Sequence, residues 1–172
     1  MSFLVRLTFL LLATCLPFAS GATDVLGYTL STTTLQQFLK QEQSNPSLAR
    51  LPATDKFILN GYVLKPKLSE FGSTERVGFM FDRTDRLCMV IVEVPYDRYA
   101  ELVNAAKTKY EFVGEKKTSS GTQEAHFHAG TDHISIEGNP ERPKMSVMLM
   151  NEQYKKDSDA RLKANGFRPT FD

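Results

Sequence analysis

The chain has no tryptophan, only 2 cysteines in 172 residues, and a formal net charge of just +1. Each scarcity excludes something. A near-neutral balance exerts no long-range pull on nucleic acid or an anionic bilayer. The basic residues are also dispersed, pairing only at Lys116-Lys117 and Lys155-Lys156. The sequence has no Walker loop, no dinucleotide-binding glycine pattern, no G-x-S-x-G elbow and no helical HExxH, so no catalytic or cofactor signature is present. No asparagine heads a usable glycosylation triplet, since Asn45 is followed by Pro46.

What is present is ordinary globular material, 41% apolar and 24% charged. The length predicts one domain. A chain of this size buries roughly two-thirds of its unfolded surface, enough for a core without covalent staples.

The start reads as an export signal. Arg6 precedes an apolar run from Leu7 to Phe18, and Ala19-Ser20-Gly21-Ala22 offers small residues of the kind signal peptidase accepts. The run is too short to cross a bilayer as a helix, which takes about 20 residues. Residues 1–22 are therefore expected to be cleaved, with no membrane span afterwards. Leu12-Ala13-Thr14-Cys15 bears some likeness to a lipoprotein box, but Thr14 stands where a smaller residue is usual. Cleavage removes Arg6 and Cys15, leaving a formal charge of zero and one thiol, Cys88. No internal disulfide can form, and Cys88, inside an apolar strand, reads as a small core residue. A periplasmic or secreted location follows as the expectation.

The most apolar part of the mature chain is Arg76 to Pro95. Val77, Phe79 and Phe81 alternate with Gly78, Met80 and Asp82, and Leu87 to Val92 is apolar without a break. Alternation predicts a strand with one wet face; the unbroken run predicts a strand covered on both faces. Arg83 to Arg86 supplies the turn between them. On either side, Thr33 and Gln36 have capping-box spacing ahead of Leu35, Phe38 and Leu39, predicting a helix over 32–43. Tyr99, Leu102, Val103, Ala106 and Tyr110 mark one face of a helix over 96–110. Residues 23–30, 56–65, 111–117 and 145–150 read as further strands, 44–55 and 66–75 as loops, and 158–164 as a short helix in a tail that otherwise frays. The order helix, strand, hairpin recurs in the second half.

These elements predict an α+β fold: an antiparallel sheet with two main helices packed on one face. In element order the mature chain resembles the helix-plus-antiparallel-sheet modules of small exported bacterial binding proteins, such as the β-lactamase-inhibitor-like and outer-membrane-assembly lipoprotein folds. The resemblance implies a binding role.

One constellation has chemical potential. Thr122 to Gly138 reads TQEAHFHAGTDHISIEG. With Gly130-Thr131 as a two-residue turn, Glu124, His126, His128, His133, Ser135 and Glu137 share one face of a hairpin, with His128 opposite His133. All 3 histidines then lie together. Two readings stand side by side. His126, His128 and His133, with Glu124 or Glu137 as an oxygen ligand, could hold zinc or another divalent transition metal. Alternatively, this is the wet, His-rich face of an amphipathic hairpin. The leading functional expectation is an exported, non-enzymatic binding module for another protein, of inhibitor, immunity or envelope-accessory type. A divalent-metal-binding protein is the alternative.

Overall fold

The computed structural model describes residues 22–51, 60–65 and 76–164. The expected export segment up to residue 21, the connector 66–75 and the tail from 165 onward lie outside them. In chain order come β1 (Asp24–Val25), β2 (Tyr28–Thr29), α1 (Leu35–Glu42), β3 (Ala49–Leu51), β4 (Asn60–Leu64), β5 (Arg76–Phe81) and β6 (Leu87–Pro95). A 3₁₀ turn at Tyr96–Arg98 leads into α2 (Tyr99–Lys109), followed by β7 (Glu111–Lys117), β8 (Gln123–Ala129), β9 (Asp132–Gly138), β10 (Lys144–Met150) and α3 (Glu152–Ala164).

The fold is α+β. Eight antiparallel strands form one sheet in the order β3-β4-β5-β6-β10-β9-β8-β7, and β1 and β2 pair separately. The sheet is two four-strand meanders joined at β6 and β10, each preceded by a helix. The recurring element order of the sequence is thus completed by β3, which falls in the expected loop 44–55. Three residues, none of them fully buried, leave no periodicity to read.

The core lies on the face of the sheet that carries Val77, Phe79, Val90, Val92, Val147, Ile134 and Ile136. Phe38 of α1, fully buried, packs on it with ring centroids 4.8 Å from Phe79 and 5.3 Å from Phe81. Burying a side chain of that size is worth about 1.5–3 kcal/mol. α2 contacts β7, β8 and β9 through a face whose buried members are Tyr99, Val103 and Ala106, the stripe its spacing predicts. α3 packs on β6 and β9.

Three expectations need correction. Residues 23–30 form a hairpin of their own and not an edge strand, because Leu26 and Gly27 both take left-handed backbone (φ 53° and 82°) and turn the chain back at once. The cap of α1 is Thr34 with Gln37, one residue later than the spacing suggested: Gln37 N–H donates to Thr34 Oγ1 (3.2 Å) and Thr34 N–H to Gln37 Oε1 (2.8 Å). The preceding residues are drawn into pairing with the next hairpin, Ser31 N–H donating to the Leu87 carbonyl and Leu87 N–H to that of Thr33. The last helix starts at Glu152, not Ser158, because Asn151 caps it by accepting from Tyr154 N–H at 2.8 Å. Ion pairs one turn apart, Glu152–Lys156 and Lys155–Asp159, support it where an apolar stripe would normally be sought.

Candidate functional site

The hairpin β8–β9 turns at Gly130, whose φ of 64° suits a residue without a Cβ. The register is the one the sequence implies: Glu124 opposes Glu137, His126 opposes Ser135, and His128 opposes His133. Ala125, Phe127, Ile134 and Ile136 consequently point into the core, and the polar set occupies the opposite face.

Extended across neighbouring strands, that face consists of rows. One runs Lys116, Glu124, Glu137, Ser146, Glu93, Arg76, with a cation at each end and three carboxylates between. The next runs His126, Ser135, Met148, Ile91, Gly78. The third runs His128, His133, Met150, Met89, Met80. Polarity thus falls from one end of the strands to the other.

The face is not uniformly wet, as an amphipathic hairpin standing alone would be. Glu124 and His126 are only 8% and 9% exposed, and Ser135 is fully buried. The cause lies in the flanking elements: β7 closes one side of β8, and α3 overlies β9. Two groupings result. Glu124, His126 and Glu137 bring one ligand atom each within 4.8 Å of one another. Within this group His126 Nε2 lies 3.6 Å from Glu124 Oε2, and Lys116 Nζ lies 3.4 Å from the same oxygen. His128 and His133 instead meet edge to face, 4.5 Å between ring centroids. Of the predicted ligands, Glu124 and His126 are therefore brought together with Glu137, and His128 and His133 form a pair beside them.

Burial sets the protonation of these groups. It pushes the His126 imidazole below its ordinary value, against the pull of the Glu124 carboxylate. Burial, then the neighbouring His128, lowers His133. Burial raises the Glu137 carboxyl, and the facing Glu124 carboxylate pushes the same way. Neutral imidazoles are the ligand-competent form. A zinc ion with bonds of about 2 Å holds donors roughly 3.4 Å apart, so the His126–Glu124 spacing of 3.6 Å already suits one.

Cys88 is buried, and its thiol is pushed up to about 12, first by burial and then by Asp82, which makes it an inert core group. On the core side, a cavity of about 170 Å³ opens between α2 and the sheet, walled by Leu102, Ala106, Ile136 and Val147. What the sequence reading missed is the methionine row. The signal was there in the alternating Met148 and Met150, but the register of β10 against β6 could not be read from it. No protein-family model, curated protein or solved structure matches this chain.

Proposed function

We propose that the protein is an exported, non-enzymatic binding module, periplasmic or secreted, that docks another protein on the sheet face carrying Met80, Ile91, Met148 and Met150. One observation carries the reading. This face presents three half-buried methionines and an isoleucine on three adjacent strands, with the buried Met89 between them, and the helix beside it, α3, has no buried residue of its own. Methionine is unbranched and polarizable and suits surfaces that adapt to a partner. The charged row from Lys116 to Arg76 then serves as a polar rim, the usual anatomy of a protein interface. In this reading α1 and α2 form the backing layer on the opposite face. An inhibitor, immunity or envelope-accessory role fits such a module. The test compares wild-type bait with Ile91→Glu and Met148→Glu baits in envelope extract, each variant checked for native circular dichroism. A discrete partner captured by the wild type and lost by both variants is expected. Equal capture by all three, or by none, overturns the reading.

A second reading, divalent-metal binding, draws on the clustering of Glu124, His126 and Glu137. Two carboxylates and an imidazole suit Zn(II) or Mn(II), and an ion there would relieve the opposition of Glu124 and Glu137. Elemental analysis of protein purified without a histidine tag should give stoichiometric metal, lost in His126→Gln and Glu137→Gln. Metal lost also in His128→Ala would extend the ligand set to the histidine pair.

A further inference from the structure

We propose that Met89, Met150 and His133 form a binding site for a soft monovalent cation, Cu(I) or Ag(I). The inference rests on the sheet register and is independent of the docking reading. Met89 opposes Met150 across β6 and β10, and Met150 opposes His133 across β10 and β9. All three side chains stand on the same face, since Val90, Leu149 and Ile134, one residue away on each strand, point into the core. Neighbouring strands lie about 4.8 Å apart, so two thioethers and an imidazole project side by side from a span of about 10 Å, which long methionine side chains can close. Thioether sulfur is soft and selects Cu(I) over the harder divalent ions that carboxylates prefer. Two sulfurs and one nitrogen make a soft ligand set, distinct from the Glu124–His126–Glu137 group, whose carboxylates lie two rows away and whose imidazole lies in the adjacent row.

The surroundings favour a cation of low charge. Met89 is only 7% exposed, Met150 is half-buried, and α3 packs against the strands on both sides of Met150. The charged groups of α3 that act on His133 are Lys155, Asp159 and Glu152, and both carboxylates are already balanced, Asp159 by Lys155 and Glu152 by Lys156, so they add no net negative charge that would call for a divalent ion. Met80 continues the row beyond Met89, but its sulfur lies over Gly61, where an added Cβ would come within 3.0 Å of it. Met80 is therefore not assigned to the site. Met145 faces the core and supplies an internal control.

The experiment titrates the protein with Ag(I), then anaerobically with Cu(I) against a chromogenic chelator, while following methionine methyl resonances by NMR. One equivalent should bind, shifting the methyls of Met89 and Met150 and leaving that of Met145 in place. Losing a ligand should weaken binding at least as much as losing an outer-shell partner does, about 10–100-fold. The Met89→Leu, Met150→Leu double variant keeps the volume and apolar character of both sites, so its fold should persist while competition with the chelator fails. Glu124→Gln should bind Ag(I) like the wild type. Failure to compete with the chelator, unmoved Met89 and Met150 methyls, or wild-type affinity in the double leucine variant would each overturn the proposal.

Discussion

Glu124 and Glu137 face each other directly across β8 and β9, and the balancing cation for the first, Lys116, comes from β7 at 3.4 Å. Opposed carboxylates on adjacent strands repel, and Glu124 has little water to screen it. Lys116→Met should destabilise the fold by about 1 kcal/mol, a value typical of partly exposed pairs. Adding Glu137→Gln should recover much of the loss, because one of the two facing charges is then gone. Urea melts of the two variants and the wild type check this; an additive double variant would show that the facing carboxylates do not interact.

Acid should act through the histidines. The folded values of His126 and His133 lie below the ordinary 6.5. Below that value the unfolded chain binds more protons than the native one, so stability falls as pH drops through the region under 6.5. The raised Glu137 has the opposite sign: the native state holds its proton more tightly, and stability falls as pH rises above its ordinary 4.5. Thermal melts between about pH 7.5 and about pH 5 should show a declining Tm. The decline should flatten in a His126→Gln, His133→Gln variant, and an unchanged slope would mean that other groups carry it. Docking on the same face should weaken with the same pH dependence.

The central hairpin, the α2 stripe and the His128–His133 register were all legible because each rests on a strong local rule: alternation, helical spacing, and a turn that only Gly130 makes easy. What escaped had no such rule. β3 is three residues long. Leu26 takes a left-handed backbone that its side chain does not advertise. α3 is held by ion pairs and by one capping side chain, Asn151, without an apolar face. The candidate site was legible as a face but not as a cluster. Which of its residues are buried depends on β7 and α3, neither of which the hairpin sequence specifies.

Gly138 tests the tightness of the seam between β9, β10 and the 3₁₀ turn. A Cβ at that position would stand 2.7 Å from Met145 Cβ and 2.8 Å from the Tyr96 ring. Tyr96 is itself held, its hydroxyl donating to Gln123 Oε1 at 2.8 Å. Gly138→Ala should therefore overpack the seam and cost about 1–3 kcal/mol. Repeating the substitution in a Tyr96→Ala background should reduce that cost, since the ring is then absent. Equilibrium unfolding of the four proteins gives the coupling, and a neutral Gly138→Ala would rule out the close approach.

Asn151 controls whether α3 stays on the methionine face. It is buried, accepts from Tyr154 N–H at 2.8 Å, donates through Nδ2 to Ser31 Oγ at 3.0 Å, and its own N–H reaches the Cys88 carbonyl at 3.0 Å. One side chain thus caps the helix and ties it to the chain entering α1. With no buried side chain of its own, α3 has little else to hold it. Asn151→Ala should cost about 0.5–2 kcal/mol, the range for a lost cap. The loss should be local as well as global: amide exchange in α3 should accelerate while β6 and β10 stay protected. Exposure of the buried Met89 should then raise the fluorescence of an apolar dye under native conditions. Uniform acceleration across the sheet, or unchanged exchange in α3, would show that the helix is not hinged at this residue.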